Sequence, residues 1–139
     1  MSRGGMDYSE FEELAKNFKQ LTKDYNKFLG DFLMKEGNKC FADTVSNTPN
    51  VTGRLIGGWR LSGPFKRGDS RYVVIHNNVK YAKWVEDGHR IVKPSGEDTG
   101  RWQPGKHMAR KALINTELNL DKNFNKEFKN FCKTRGIGK

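Results

Sequence analysis

The stretch that decides the fold is FEELAKNFKQLTKDYNKFLGDF, residues 11–32. Its apolar side chains recur at steps of three and four, so they line one face of a helix. The opposite face carries acids as well as lysines, whereas a helix that lies on a membrane has a strongly basic face. We therefore predict a helix that packs on a core or on a partner. The apolar stripe comprises Phe11, Leu14, Phe18, Leu21, Tyr25, Phe28 and Phe32.

Capping and helix-breaking residues suggest the limits of this helix. Ser9 and Glu12 have the spacing of a capping box, which favours a start near residue 9. Pro49 disfavours helical geometry in the residue before it, so we expect the helix to end near there. Gly30 and Gly37 each cost roughly 1 kcal/mol relative to alanine, which predicts a kink or a break near one of them.

Strands follow the first helix. Residues 48–59, TPNVTGRLIGGW, have turn chemistry that leads into a strand. The segment WRLSG, residues 59–63, then alternates apolar and polar side chains and places Trp59 and Leu61 on one face. The segment RYVVIHN, residues 71–77, is rich in β-branched and aromatic residues and is the strongest strand prediction in the chain.

The connections between these elements are less regular. GPFKRGDS, residues 63–70, is predicted to be a loop or a hairpin connection. Residues 81–85 suit either helical turns that stop at Gly88 or a short strand, because periodicity cannot decide over so few residues. Residues 91–106 contain two prolines and three glycines, which predicts a long mobile loop.

A second helix is predicted from about residue 107 to residue 133, with an interruption within residues 119–123. Helices at both ends of a run of strands indicate an α+β fold with a small, mostly antiparallel sheet. We expect one domain over residues 1–139, with flexible ends at residues 1–8 and 134–139.

Composition limits the class of protein. The length of 139 residues is usual for one domain. Cys40 and Cys132 lie far apart and match neither metal nor disulfide spacing, which favours a reducing, intracellular setting. No apolar run is long enough for a bilayer, and the first ten residues lack the apolar core of a signal peptide. We expect a soluble protein that stays in the cytoplasm or leaves it inside a larger particle.

The net charge of +10 is unevenly distributed. Residues 1–47 hold 7 basic and 8 acidic side chains, residues 48–109 hold 11 and 5, and residues 110–139 hold 8 and 3. A positive middle and tail favour nucleic acid or an acidic protein surface as a partner. The basic residues are scattered and no nucleic-acid motif accompanies them, so a solvated lysine-rich face is the slightly favoured interpretation.

The segment YAKWVEDGHR, residues 81–90, has the density of an active site. Glu86, Asp87 and His89 could all move protons. Adjacent side chains, however, point in different directions on a helix or a strand, so Glu86 and Asp87 are poorly placed to act on one substrate atom. Two surface carboxylates that meet arginines are the favoured outcome.

Other chemistries have weaker signals. His76, His89 and His107 could join Glu86 in a metal site, but the second ligand pair that identifies zinc or iron sites is missing. Cys40 lies in a predicted apolar helix, where thiols are usually inert. No glycine-rich segment matches a phosphate-binding loop. The sequence therefore predicts no catalytic residue, no metal site and no cofactor.

Five aromatic residues outside the helices could stack on nucleic-acid bases: Trp59, Trp84, Trp102, Tyr72 and Tyr81. Aromatic residues at strand positions more often fill a core, and we predict this for Trp59. Trp102 stands among glycine and proline residues in a predicted loop, which favours a contact with a partner.

Two segments resemble a known family. TPNVTGRLIGGW, followed by NNVKYAKWVEDGHR at residues 77–90, looks like the two signature blocks of the HK97 gp10-like phage tail proteins. Asn50 shifts the spacing of the first block by one, and Gly58 and Asp87 depart from the residues that are usual there. The matching residues are Thr48, Pro49, Val51, Thr52, Gly53, Leu55 and Trp59 in the first block, Asn77 or Asn78, Val79, Tyr81, Ala82, Val85, Glu86, Gly88, His89 and Arg90 in the second, and Trp102, Gly105, Met108 and Ala112 in a third landmark.

The resemblance implies a small α+β protein of a phage or prophage virion, which is assembled in the host cytoplasm and has no enzymatic activity. It implies work in tail completion or at the head–tail junction, in rings that are often sixfold, with tail-tube and connector proteins as partners. Tyr81, Trp84 and Val85 would anchor the second block to the core, and charged groups would face a neighbour. A module that contacts DNA near the portal exit is the alternative. The candidate interaction residues are Arg54, Trp84, Glu86, His89, Arg90 and Trp102.

Overall fold

The computed structural model describes residues 8–50 and 53–137. It confirms the α+β class, with a long first helix, antiparallel strands and a C-terminal helix. The strands form two separate two-stranded sheets instead of one. The elements in chain order are α1 (Tyr8–Ser46), α2 (Arg54–Gly57), β1 (Trp59–Arg67), β2 (Ser70–Asn77), α3 (Ala82–Asp87), β3 (Gly88–Val92), β4 (Asp98–Pro104) and α4 (Met108–Thr134).

Helix α1 is one uninterrupted helix of 39 residues, so the predicted break near Gly30 or Gly37 is wrong. Gly37 is buried beneath the hairpin of β1 and β2. A Cβ atom at this position would lie 3.0 Å from Val73 Cγ2 and 3.6 Å from Leu61 Cδ1. The missing side chain therefore lets the hairpin approach the helix closely, and this packing offsets the low helix propensity of glycine.

The limits of α1 differ slightly from the prediction. Ser9 lies inside the helix, which already includes Tyr8, so Ser9 is not its N-cap. The helix ends at Ser46, three residues before Pro49, in agreement with the expected end. Across the described ranges, no helix is both long and apolar enough to cross a membrane.

Strands β1 and β2 form an antiparallel hairpin that extends further than the sequence suggested. Residue pairs run from Trp59 and Asn77 at one end to Arg67 and Ser70 at the other, with an irregularity between Ser62 and Phe65. Most of residues 63–70 is therefore strand, because only Gly68 and Asp69 are left for the turn. Trp59 and Leu61 are less exposed than Arg60, as the predicted alternation requires.

The segment after β2 contains the largest difference from the prediction. Residues 81–85 enter a helix, α3, and not a strand. The expected long loop at residues 91–106 is wrong, since most of it belongs to an antiparallel hairpin of β3 and β4. Thr99 Oγ1 donates a hydrogen bond to the Ile91 carbonyl oxygen over 2.6 Å and so ties the two strands together.

Helix α4 packs along α1 through an aromatic seam. The helix continues through residues 119–123, so the predicted interruption is wrong. Phe28 lies at the centre of the seam, with its ring centroid 4.9 Å from that of Phe131. A salt bridge between Lys35 and Glu127 flanks the rings. The seam consists of Tyr25, Phe28 and Phe32 on α1 with Phe124, Phe128 and Phe131 on α4.

The predicted flexible ends are only partly described. Thr134 belongs to α4, and the Ile137 backbone N–H donates to the Cys132 carbonyl oxygen over 2.8 Å beyond the helix end. At the other end Tyr8 belongs to α1. The rest of the prediction, for residues 1–7 and 138–139, lies outside the described residues.

A second hydrophobic cluster joins α2, β1, α3 and α4. Trp59 is 6% exposed, which confirms its predicted place in the core. Its indole N–H donates to Thr48 Oγ1 over 2.8 Å, so its single polar atom is satisfied inside the cluster. The buried members of this cluster are Leu55, Trp59, Val79, Ala82 and Met108.

The seam generates a prediction with a matched control. Phe28→Ala removes a ring that contacts the rings of five others, and we expect the free energy of unfolding to fall by about 3 kcal/mol. Phe11→Ala makes the same change on the same helix stripe at an exposed position, and we expect a change within about 0.5 kcal/mol. Urea denaturation of the two variants in the monomeric state measures both values, and equal losses would contradict the packing.

Candidate functional site

The two signature blocks meet in space through Asn77. Its side-chain Nδ2 donates to the Leu55 carbonyl oxygen over 2.7 Å. Its Oδ1 accepts a hydrogen bond from the Val79 backbone N–H over 2.9 Å. The side chain of Asn77 therefore links the first block to the second. Val51 and Thr52 of the first block lie outside the described residues. The position of this asparagine at the end of β2 explains why the motif contains it.

Helix α3 forms the middle of the second block and lies on the core. Tyr81 and Val85 pack against the buried cluster, and Ala82 is 8% exposed, as expected of anchoring residues. Trp84 does not anchor the segment in the core, because it is 61% exposed. At 100° per residue, residue 84 lies about 160° around the helix from Ala82 and about 100° from Val85, which takes it out of the face that packs on the buried cluster.

Glu86 caps the start of α4. Its Oε1 accepts the backbone N–H of Ala109 over 2.9 Å, and its Oε2 accepts that of Arg110 over 3.0 Å. The residue before α4, His107, has a left-handed backbone and makes no side-chain cap. A carboxylate at this position satisfies otherwise unpaired N–H groups and interacts favourably with the helix dipole. The Glu86 carboxylate therefore has partners within its own subunit, and its contact with a neighbouring subunit stays a prediction.

Two glycines allow the backbone to cross tightly beside Glu86. Gly88 has φ 90°, and a Cβ there would lie 2.6 Å from the Gln103 carbonyl oxygen. A Cβ at Gly105 would overlap the Glu86 carbonyl oxygen. Both atoms belong to backbone that cannot move away easily, so only glycine fits at these positions. The crossing brings the end of β4 against α3 and so aligns the cap with α4.

His89 and Arg90 follow the crossing on β3 and face different ways. The His89 ring lies 6.4 Å from that of Trp84, and its Nδ1 donates to the Arg90 carbonyl oxygen over 2.9 Å. Arg90 pairs with Trp102 across the hairpin, and Trp102 is 57% exposed.

A cavity of about 220 Å³ opens beside His89. Its lining includes Pro49, Leu55, Tyr81, Trp84, Val85 and His89.

Arg90 is engaged within its own hairpin. Its Nη1 donates to Asp98 Oδ2 over 2.8 Å, and the Gly100 backbone N–H donates to Asp98 Oδ1 over 2.8 Å. The hydrogen bond from Gly100, and to a lesser degree the Arg90 guanidinium, hold the pKa of Asp98 below its ordinary value of 3.8. The arginine is thus part of a local ion pair and not an isolated charge.

The six predicted interaction residues do not form one cluster of charges. Arg54 is exposed at the start of α2, beside Leu55, which lines the cavity. Trp84 and His89 lie together at the cavity, while Trp102 lies on the hairpin. What these residues share is a surface with two exposed tryptophans, which suits a contact with a partner better than proton transfer.

The residues with chemical potential are spread over the molecule. His76 lies on β2 near Ser62 Oγ at 3.5 Å, and His107 precedes α4. Among residues 8–50 and 53–137, no three His, Cys, Asp or Glu side chains lie close enough together to hold a metal ion. Asp87 is exposed, and Glu86 is bound to α4. Neither a histidine cluster nor a pair of convergent carboxylates forms in this part of the chain.

Sequence reasoning missed a buried acid on α1. Glu36 is 3% exposed, accepts a hydrogen bond from Asn123 Nδ2 over 2.8 Å and forms a salt bridge with Lys39 over 3.4 Å. Glu36 and Asn123 come from α1 and α4, so this polar contact sets the register between the two helices. Asn123 lies within residues 119–123, where the sequence predicted an interruption of the helix. Its polar side chain was the one sequence feature that could have indicated this contact.

Because Glu86 caps α4, its substitution should lower the stability of the fold, whereas substitution of the adjacent Asp87 should not. Glu86→Gln removes the charge and one acceptor, and we expect the free energy of unfolding to fall by about 1–2 kcal/mol. Asp87→Asn neutralises the adjacent, exposed carboxylate and should change it by less than about 0.5 kcal/mol. Thermal unfolding of both variants, compared at one concentration, makes the test, and an equal shift in the two would refute the cap.

The ion pair at Asp98 predicts a pH dependence. Because the folded pKa lies below the unfolded value, the contribution to stability is present above the unfolded pKa and is lost as the pH falls through the folded pKa. We expect NMR titration of the Asp98 carboxyl to give a pKa below 3.8, and Arg90→Gln to raise it only part of the way. A wild-type pKa at or above 3.8 would contradict the hydrogen bonds to Gly100 and Arg90.

The comparisons with known proteins agree with this geometry. The model of one protein family matches residues 12–88, and its description is "Bacteriophage HK97-gp10, putative tail-component". The match begins in α1, contains the first signature block and residues 77–88 of the second, and ends at Gly88 in the glycine crossing. No curated protein and no solved structure gives a match. Because the family model covers more than half of the chain, the chain belongs to the HK97 gp10-like family of phage tail components.

Proposed function

We propose that this tail component is a non-enzymatic assembly protein that acts in tail completion or head–tail joining. The observation that carries the proposal is the position of the second signature block. Its acid caps a helix, its glycine allows a backbone crossing, and its tyrosine and alanine fill a core. A family motif in which these residues hold the backbone together supports a role in which the shape of the protein is its function.

Self-assembly into a ring, with sixfold symmetry as the first arrangement to test, fits the distribution of charge. Residues 1–47 carry a slight acidic excess, whereas residues 48–109 and 110–139 are both strongly basic. A ring forms by heterologous contacts, in which one surface of a subunit meets a different surface of the next. A polarised subunit supplies two such surfaces.

Contacts with other tail proteins would use the exposed tryptophans. Trp84 and Trp102 are 61% and 57% exposed, on elements that the glycine crossing holds rigidly in place. Large aromatic side chains on a fixed frame are typical of protein interfaces. We propose tail-tube or connector proteins as the partners of this surface, in a virion location at the head–tail junction.

A DNA contact near the portal exit is the second candidate, because of the net charge of +10. If phosphate contacts are its main function, the affinity for duplex DNA should fall steeply as salt increases. Fluorescence anisotropy with a labelled duplex at low salt and at 200 mM salt measures this dependence. The absence of binding at low salt would remove this candidate.

The assembly role predicts a defect in particle formation. A phage that lacks this gene should produce heads and tails that fail to join or tails with open ends, as counted by electron microscopy and by infectious titre. Wild-type protein supplied from a plasmid should restore both counts. Normal, infectious particles without the protein would contradict the proposal.

The tryptophan surface can be tested in the same system. Trp84→Ala and Trp102→Ala should lower the titre at least about tenfold while each purified variant keeps its thermal stability, because both side chains are largely exposed. Val92→Ala removes another exposed apolar side chain from the β3–β4 hairpin, which also carries Trp102, and serves as the matched control. Full complementation by both tryptophan variants would show that this surface has no partner.

A further inference from the structure

The first turns of α1 form an apolar surface that the described residues leave uncovered. We call residues 8–18 the α1 tip. Phe11 and Phe18 are 61% and 60% exposed, and Leu14 lies between them on the same face. The stripe to which they belong continues into the aromatic seam, where α4 covers it. Helix α4 ends beside Asp24, as the contact of 3.3 Å between Arg135 Nε and Asp24 Oδ2 shows.

A second apolar surface lies between β2 and α4, both of which pack on α1. We call it the β2–α4 cleft, and it encloses about 590 Å³. Its floor is α1 around Gly37. Leu113 on the α4 wall is 51% exposed. The apolar lining includes Leu33, Cys40, Val73, Ile75, Leu113 and Leu120.

The α1 tip cannot reach the cleft of its own molecule. Both surfaces include residues of α1, which runs without interruption from Tyr8 to Ser46. With a rise of 1.5 Å per residue, Phe18 lies about 22 Å along the axis from Leu33 and about 33 Å from Cys40. The tip and the cleft can therefore meet only between two molecules, in a head-to-tail contact.

The two surfaces match in length. Tyr8 and Phe18 are about 15 Å apart along α1, and Ala109 and Leu120, at the two ends of the cleft on α4, are about 16 Å apart. An amphipathic helix that lays apolar side chains three and four residues apart into a groove is a common recognition mode. The tip has this spacing at residues 11, 14 and 18.

The charges beside the two surfaces also match. Glu12 and Lys19 lie on one flank of the helix, to the same side of the apolar stripe, seven residues or about 10 Å apart. Arg110 and Glu117 line the cleft, also seven residues apart, and neither side chain forms a salt bridge within the described residues. A tip that runs parallel to α4 places Glu12 opposite Arg110 and Lys19 opposite Glu117. The antiparallel direction would instead oppose like charges.

We propose that the α1 tip of one copy occupies the β2–α4 cleft of the next copy, with Phe11, Leu14 and Phe18 inside the cleft and the tip parallel to α4. This contact deepens the proposed ring assembly and rests on it. Each subunit gives one tip and receives one, so the contact closes into a ring when the rotation per subunit divides a full turn.

Complementary blocking variants test the contact in the full-length chain. Phe18→Asp disables the tip, and Leu113→Asp disables the cleft. Both positions are exposed in one copy, so both variants should unfold like wild type. Mass photometry and native mass spectrometry should show oligomers for wild type and monomers for each variant alone. An equimolar mixture should give a heterodimer and nothing larger, because one intact tip meets one intact cleft.

The charge pairs test the direction of the tip. Glu12→Arg should weaken oligomerisation at least tenfold, as should Arg110→Glu, and the double variant should recover most of the loss. Glu13→Arg makes the same charge change on the other flank of the apolar stripe, away from α4, and should have little effect. Failure of the double variant to recover, together with an equal loss in Glu13→Arg, would overturn the parallel register.

The outcomes separate this contact from ring assembly in general. Oligomers that persist in both blocking variants would overturn the contact and leave ring assembly standing. Loss in Phe18→Asp with none in Leu113→Asp would replace the contact by a symmetric one between two tips. A wild-type chain that stays monomeric up to 1 mM would overturn both self-assembly and this contact, while the infection assay would still decide the role in the tail.

Discussion

The aromatic seam between α1 and α4 is the interaction on which the rest of the structure depends. It joins two elements that are distant in sequence and leaves α1 longer than the partner that covers it. Phe28 and Phe131, with ring centroids 4.9 Å apart, lie near the end of this cover. Beyond it the same stripe continues into solvent at Phe18 and Phe11. The helix therefore packs inside its own molecule over one part and is available to another molecule over the rest.

The second constraint is the junction of the two signature blocks. Asn77 connects them, Glu86 caps α4, and Gly88 and Gly105 let the backbones cross. These contacts determine where α4 begins and thus how it runs along α1. The width of the β2–α4 cleft follows from that course. A cluster of charged residues that looks like an active site in the sequence is, in the folded chain, the corner that positions a helix.

The sequence was sufficient for features with a local signal. The stripe of α1, the strand at residues 71–77, the helix that became α4 and the burial of Trp59 all follow from periodicity and residue type. The role of Glu86 was not predictable, because its partners on α4 are 23 and 24 residues away and capping contacts at that separation have no local pattern. The predicted loop at residues 91–106 is wrong because its prolines and glycines occupy the turn between β3 and β4, the end of β4 and, at Gly100, an irregularity within β4.

Gly37 in α1 is a further position where a contact between distant residues outweighs the local sequence signal. Helix propensity alone predicts a break at Gly37, but the side chains of Val73 and Leu61 fill the space beside it. A tertiary contact of this kind is invisible until the hairpin is placed on the helix. The candidate interaction residues stay a prediction. Trp84 and Trp102 are exposed, and Glu86 and Arg90 each have a hydrogen-bond partner within the same subunit.

We expect a second copy of the chain to cover the exposed end of α1. Cryo-electron microscopy of the assembled tail end, at a resolution that separates side chains, can locate this end. Density for residues 8–18 of each copy should lie between β2 and α4 of its neighbour, with Phe18 beside Leu113. Tips that lie in solvent, or that contact only other proteins of the tail, would contradict it.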